Sequence, residues 1–284
     1  MDLGTDGPPD GRGLFEAVYA HEGPGVNGAV IEPWLGRFGD EYRARIASAV
    51  RSAVLAEPDR EALWELYALS RVSDILLLAF QPPGRRPWDG PEQAPDEYLG
   101  LFTRLGMVPF AESAVFDPFL HEIVEVEQAA DPDEPIAVTA VVWPGLWLGP
   151  VLFSRAGVRV RAGTRHAERG VADRAPLYWA HRRRHRPAVD LSHGWGSNSQ
   201  WRTAFRVDLR LAGTDRLNIA DGDRHIDAVA EDETASLLTP AERRDLLRNR
   251  CLLRTPDNPA VSPLDADLFP FDWRLTDDGA PPSP

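Results

Sequence analysis

The segment from residue 161 to residue 186 has the residue types that bind anions. It contains eight arginines and only two acidic residues, in a protein whose net charge is -13. Arg182, Arg183 and Arg184 form the densest run, beside Tyr178 and Trp179. Guanidinium groups next to aromatic rings suit phosphate backbones and unstacked bases. The segment therefore predicts a nucleic-acid or other anionic-ligand site, and the alternative is a solvated loop or pairing with the protein's own acidic segments.

Two histidines within this segment have a spacing that suits a metal ion. His181 and His185 lie four residues apart, so a helix or a strand would place both on one side. Three arginines lie between them and repel a cation, and no carboxylate pair is near. Cys251 is the only cysteine, which excludes a thiolate cluster and an internal disulfide within one chain. No dinucleotide fingerprint or Walker A loop occurs, so we expect neither metal nor cofactor.

A polar segment that starts at His193 suggests a second kind of chemistry. His193 and Gly194 resemble the His-Gly loop of α/β-hydrolases, whose backbone N–H groups receive an oxyanion. Such an enzyme also needs a Gly-x-Ser-x-Gly nucleophile elbow, and the sequence has none. Side chains that could line a polar pocket follow, namely Asn198, Gln200 and Arg202. A hydrolase-like enzyme is therefore kept as a second alternative, and an ordinary turn explains the same residues.

Composition limits the compartment and the partners. The net charge of -13 opposes long-range attraction to nucleic acid and to anionic membranes, which favours a protein partner. No apolar run reaches the roughly 18 residues that a membrane span needs, and Met1 is followed by Asp2 rather than by a signal peptide. All 31 Lys+Arg residues are arginine, which excludes Schiff-base chemistry. We expect a cytoplasmic protein without a membrane partner.

The first third of the chain has the periodicity of helices. Apolar residues recur every four positions from residue 38 to 55, and Pro58 ends that amphipathic helix. A second helix is predicted from Asp59 to Phe80, where a wide apolar face precedes a Pro-Gly break. The two helices are expected to form a hairpin. A short third helix is predicted over residues 96–105.

Strands dominate the rest of the chain. Alternation predicts strands around residues 136–142, 151–153 and 158–160. The longest alternating run extends from Trp201 to Leu211, with the apolar side chains expected to be buried and Arg206, Asp208 and Arg210 expected to face water. Thr239, Pro240 and Glu242 form a helix start with a capping box, and that helix is expected to reach Leu252 and to bury Cys251.

Residues 98–160 follow the pattern of a known family. Leu105-Gly106-Met107-Val108-Pro109 forms an entry turn, and Phe116-Asp117-Pro118-Phe119-Leu120-His121-Glu122-Ile123-Val124 follows it. An acidic turn at residues 131–135 and a Gly-x-x-Leu pair at Gly145 and Leu148 complete the pattern. This order resembles the C-terminal β domain of the GrpE nucleotide exchange factors. Leu146 replaces the family's usual tyrosine, and the family's long upstream coiled coil is absent.

The resemblance implies a binding function without bond chemistry. In that family the β domain presses on the nucleotide-binding domain of a DnaK-type chaperone and promotes release of ADP. The residues that the resemblance places at the partner are Phe116, Asp117, Pro118, His121, Glu122, Gly145 and Leu148. The same residues could instead shape turns and bond to neighbouring backbone groups. The N-terminal helices could correspond to the family's helical dimer bundle, which implies a homodimer.

Together these patterns predict an α+β fold in three parts between two disordered tails. Residues 14–105 are expected to be helical, residues 106–163 to form a GrpE-like β domain, and residues 164–275 to form a β-rich region with a final helix. Residues 1–13 and 276–284 are rich in Gly, Pro and Asp and are expected to be tails. The expected function is protein binding rather than catalysis.

Overall fold

The structure, a computed structural model, describes residues 10–55, 57, 59–81, 90–111, 115–174, 205–220, 222–226, 237–263 and 273–277. Within these ranges the chain is α+β, as predicted, with five α-helices and two mixed β-sheets. No helix among the described residues is long and apolar enough to cross a membrane.

The structure contains every predicted helix, with some ends shifted, and one further helix near residue 10. They are α1 (Gly11–Tyr19), α2 (Glu32–Val54), α3 (Arg60–Leu76), α4 (Pro95–Arg104) and α5 (Pro240–Asn249), with a π-helical turn at Asn27–Ile31 and a 3-10 turn at Leu77–Phe80. Helix α1 was not predicted. Asp10 begins it by accepting a hydrogen bond from the Arg12 backbone N–H, and Leu14 is fully buried. Residues 10–13 are therefore not part of the expected tail.

The first three helices pack into one unit through both apolar and polar contacts. The Tyr42 hydroxyl of α2 donates to the backbone carbonyl of Glu65 in α3 over 2.9 Å. The Glu65 carboxylate accepts from the backbone N–H of Gly11 in α1 at 2.8 Å and lies 3.3 Å from Arg45. These contacts confirm the predicted helical hairpin and add α1 to it. Most of the α3 surface is buried within the chain, so its apolar face does not point outward toward a second copy.

Ten strands form the two sheets. They are β1 (Val108–Phe110), β2 (His121–Gln128), β3 (Ala137–Trp143), β4 (Gly145–Leu148), β5 (Val151–Ser154), β6 (Ala156–Ala162), β7 (Leu209–Leu211), β8 (Thr214–Leu217), β9 (Arg224–His225) and β10 (Trp273–Asp277). In the described residues, the large sheet has the order β1-β4-β5-β7-β8-β10-β9 and the small sheet has the order β2-β6-β3. In the small sheet β2 runs parallel to β6, and β3 runs antiparallel to β6.

The predicted domain boundary at residue 163 is wrong. Strand β5 from the middle of the chain pairs with β7 from the C-terminal region, so one sheet contains strands from both. The backbone N–H of Leu152 donates to the carbonyl of Asp208 over 2.9 Å, and that of Arg210 donates to the carbonyl of Pro150 over 3.1 Å. Residues 106–163 and 164–275 are therefore not two separate domains, because the second supplies four strands to a sheet that the first begins.

Only the end of the predicted strand at residues 201–211 is confirmed. Residues 201–204 lie outside the described residues, residues 205–208 belong to no ladder, and only β7 pairs as a strand. A turn at Ala212 and Gly213, both with positive φ, then joins β7 to β8. The prediction that the charged side chains of this run face water is also wrong, because Asp208 is fully buried and Arg210 is largely buried.

The last helix begins as predicted and ends early. The Thr239 hydroxyl accepts from the backbone N–H of Glu242, and the Glu242 carboxylate accepts from the backbone N–H of Thr239. This is the expected capping box. The left-handed backbone at Arg250 ends α5 before Cys251, so Cys251 is buried, as expected, but lies outside the helix.

Candidate partner-binding site

The Phe-Asp-Pro turn before β2 is held by hydrogen bonds among its own residues. The Asp117 carboxylate accepts from the backbone N–H of Phe119 at 2.8 Å, and its backbone carbonyl accepts from the backbone N–H of His121 at 2.8 Å. In return, the backbone N–H of Asp117 donates to Nδ1 of His121 over 2.9 Å. Asp117 and His121 therefore act as one turn-forming pair.

His121 is a neutral imidazole in this arrangement. Its Nδ1 accepts a hydrogen bond, and burial lowers its pKa from 6.5 to about 4, with Asp117 partly opposing this effect. In the unfolded chain the ring takes up a proton at a higher pH than in the fold. Protonation of His121 therefore opposes folding as the pH falls from about 6.5 towards 4.

Arg210 connects this turn to the C-terminal region. Its Nη2 donates to the Asp117 carboxylate over 2.9 Å and to the Asp215 carboxylate over 2.8 Å. Its guanidinium carbon also lies 4.7 Å from the centroid of the Phe119 ring, which is a cation–π contact. Hydrogen bonds to Asp215 and Asp117 hold the pKa of Arg210 above its usual value. The turn is thus fixed by a residue far along the chain.

Gly145 is required by the close approach of an aromatic ring. It pairs with Phe110 across β1 and β4, and a Cβ atom on Gly145 would lie 2.1 Å from the Phe110 ring. Leu148 of the same strand is buried in the core that the helices share with the large sheet. Both residues therefore shape the β region from inside.

Replacing Gly145 with alanine is expected to lower the free energy of unfolding by about 1–3 kcal/mol, because the ring of Phe110 must move. The matched control is Gly36→Ala in the interior of α2, where an added Cβ meets no atom within 4 Å. That substitution is expected to stabilise by up to about 1 kcal/mol. Urea unfolding of both variants measures the difference, and equal effects would contradict the steric role of Gly145.

Most residues expected at a partner are inside the protein. Asp117, His121, Glu122, Gly145 and Leu148 are buried, and only Phe116 and Pro118 keep partial exposure. A buried side chain cannot touch a partner without a change in the fold. Direct contact by these five residues is therefore excluded in this conformation, and the turn-forming role explains their positions.

A cluster of buried charges that the sequence did not predict lies next to this turn. Asp208 is fully buried, and three guanidinium groups surround its carboxylate: Arg250 at 2.6 Å, Arg206 at 3.0 Å and Arg155 at 3.6 Å. The backbone N–H of Asn218 donates to the same carboxylate over 2.8 Å. Arg206 and Arg155 also donate to the backbone carbonyls at the end of α5. We call Asp208, Arg155, Arg206 and Arg250 the Asp208 cluster.

The charges in the Asp208 cluster stabilise one another. Burial alone would raise the pKa of Asp208, but the three guanidinium groups outweigh it and hold the pKa well below the usual range of a carboxyl group. Burial and the neighbouring arginines lower the pKa of Arg206 to about 10, so it stays charged at neutral pH. The cluster joins the residue between β5 and β6, the segment before β7 and the end of α5.

The small sheet has a charged outer face. Five exposed or partly exposed residues make this outer face: Glu125, Glu127, Thr139, Arg159 and Arg161. Arg159 lies 2.9 Å from Glu125, and Arg161 lies 2.6 Å from Glu127 and 2.7 Å from Glu134 of the acidic turn. A groove of about 710 Å³ runs along this face. Surface charges arranged in this way can select a partner by complementarity.

The predicted anion site is only partly described. Arg182, Arg183, Arg184, His193, Asn198, Gln200 and Arg202 lie outside the described residues, as do His181 and His185. Two described arginines of the same basic segment bind the protein's own acids, because Arg161 contacts Glu127 and Glu134, and Arg165 lies 2.7 Å from Asp133. The alternative of internal pairing is therefore confirmed for Arg161 and Arg165.

Comparisons of the chain with protein-family models, with curated proteins and with solved structures found no match. Among the residues that the structure describes, no group of three His, Cys, Asp or Glu side chains is placed to hold a metal ion.

Proposed function

We propose that the protein is a non-catalytic binding factor that contacts a DnaK-type chaperone through its middle region and promotes release of nucleotide. The observation that carries this proposal is the outer face, a set of paired, exposed charges on a sheet whose interior residues follow the GrpE-like pattern. Reversible protein contacts often use such faces, since complementary charges speed encounter and suppress wrong partners.

The order of elements supports the same proposal. A short helix, α4, ends in the Leu-Gly entry turn, and the six strands from β1 to β6 follow within residues 108–162. The buried motif residues maintain this unit, while the outer face and the acidic turn at residues 131–134 are exposed. The surface that meets the partner is thus adjacent to the motif rather than made of it.

The test uses the purified chaperone of the same host, preloaded with a fluorescent ADP analogue. Stopped-flow mixing with this protein is expected to accelerate nucleotide release. The variant Glu125→Arg with Glu127→Arg is expected to lose at least about tenfold in affinity, which corresponds to about 1.4 kcal/mol. Asp40→Arg with Glu41→Arg on the exposed surface of α2 makes the same change in net charge and is expected to behave like the wild type.

Unchanged release together with no detectable complex would refute this proposal. The competing proposal is then an anionic-ligand or nucleic-acid binder that uses Arg182, Arg183 and Arg184. Its signature is a steep loss of affinity for an oligonucleotide as the salt concentration rises. A hydrolase-like enzyme that uses the His193 loop would instead be labelled covalently by a serine-reactive probe.

A further inference from the structure

We propose that the groove on the small sheet binds an extended peptide segment of the protein partner through an acidic side chain of that segment. This inference rests on the proposed function and names the part of the partner that is recognised. The groove is lined by Glu125, Val126, Glu127, Thr139, Ala140, Arg159, Val160, Arg169, Asp173 and Arg174. Its volume of about 710 Å³ is within the range of sites that hold a short peptide or a small molecule.

Some charged side chains of the groove form ion pairs within the protein, and others do not. Glu125 is bound to Arg159, and Glu127 is bound to Arg161, which lies beside the groove. Among the described residues, no carboxylate lies within ion-pair distance of Arg169 or Arg174, the two other arginines of the groove. Their guanidinium groups can therefore pair with a carboxylate of a ligand.

Arg169 is held in place before any ligand binds. Its Nε donates to the backbone carbonyl of Val126 over 2.9 Å, and its backbone N–H donates to the Gln128 side chain over 3.0 Å. The first bond also covers a polar group at the free edge of β2. The guanidinium group is thereby fixed at the groove by its Nε, which reduces the conformational entropy that binding removes. Arg174 also lines the groove and is exposed.

The same lining selects a peptide over a polyanion. A guanidinium group matches the geometry of a carboxylate and can bind it with two hydrogen bonds. The carboxylates of Glu125, Glu127 and Asp173 also line the groove, so a nucleic-acid strand would carry successive phosphates past three acids. A peptide with an isolated acidic residue avoids this repulsion, and its neutral residues can lie along Thr139, which is exposed, and Ala140, which is half-buried.

The experiment measures fluorescence anisotropy of a short labelled peptide of valine and threonine residues with one central glutamate, titrated with the full-length protein. The wild type is expected to bind it at least about tenfold more tightly than the same peptide with glutamine in place of glutamate. Arg169→Gln with Arg174→Gln is expected to remove this preference. Arg12→Gln with Arg165→Gln changes the charge equally at exposed arginines outside the groove and is expected to keep it.

Arg174→Gln alone guards against misfolding, since the Arg174 side chain is exposed. It is expected to lose part of the preference while its thermal unfolding matches the wild type. Equal binding of the two peptides, or tighter binding of a single-stranded oligonucleotide than of the peptide, would overturn the proposal. The chaperone assay separates the two proposals. If the double variant binds the chaperone as well as the wild type does, the groove proposal is overturned and the chaperone proposal stands. If the protein selects the acidic peptide but does not bind the chaperone, the groove proposal stands and the chaperone proposal is refuted.

Discussion

Replacing Asp208 with asparagine is expected to lower the free energy of unfolding by about 3–5 kcal/mol. The substitution keeps the shape of the side chain but removes the negative charge that three guanidinium groups surround. Arg155 is also fully buried, so water cannot replace the lost attraction between it and Asp208. The remaining positive charges then repel one another in a medium of low dielectric constant. Equilibrium unfolding in urea measures the loss.

The control for this prediction is Asp133→Asn, the same chemical change in an exposed ion pair. Asp133 lies 2.7 Å from Arg165, and both side chains are more than half exposed. Exposed pairs of this kind contribute at most about 1 kcal/mol, because water screens them and the side chains lose entropy when they pair. A loss below about 1 kcal/mol in the Asp208 variant would contradict the central role of that carboxylate.

The helices were predictable because their signals are local. The Thr239 and Glu242 capping box and the Asp59 cap are each contained within four residues of sequence, and the structure contains both. Apolar spacing also placed α2 and α3 correctly. Helix α1 escaped prediction because Gly11 and Gly13 lie beside a Pro-rich segment that reads as a tail, although Leu14, Phe15 and Val18 supply its buried face.

The charged cluster was not predictable from local pattern. Alternation at residues 205–211 correctly placed Phe205, Val207 and Leu209 in the core, but it assigned the intervening charges to solvent. That rule holds when one face of a strand is open to water. Here Arg210 meets Asp117, which is 93 residues away in the chain, so the second face is covered by distant elements. Opposite charges two positions apart, as in Arg206 and Asp208, were the only local sign.

The sequence could not show which residues of the motif are buried. The Asp and His residues of the motif from Phe116 to Val124 bond within the turn instead of facing outward. Arg169 and Arg174 were grouped with the basic segment and not with the sheet, because their proximity to β2 depends on a long-range backbone contact. A sequence shows the chemistry of each side chain, whereas the burial of that side chain depends on which distant elements pack against it.

Ending the chain after Gly163 is expected to abolish cooperative folding. The truncated chain keeps every residue of the GrpE-like pattern, so it would still fold cooperatively if that pattern formed an independent β domain. In the structure, however, β5 is an interior strand that pairs with β7, and the Phe-Asp-Pro turn is bound by Arg210. Truncation removes both partners and exposes the apolar core around Leu152 and Phe119. The measurements are thermal unfolding by near-ultraviolet circular dichroism and binding of a hydrophobic dye.

The matched control ends the chain after Asp277 and removes only residues 278–284. It retains β10, whose Asp277 lies 2.5 Å from Arg248, and is expected to unfold at the temperature of the full chain. A cooperative transition in the chain that ends at Gly163 would show that the middle region folds alone, against the shared sheet. If the chain that ends at Gly163 shows no cooperative transition while the control unfolds normally, the middle region needs the C-terminal region in order to fold. The C-terminal region would then act as part of the binding unit. Any partner that recognises the outer face would then depend on Asp208 and Arg210, although neither residue lies on that face.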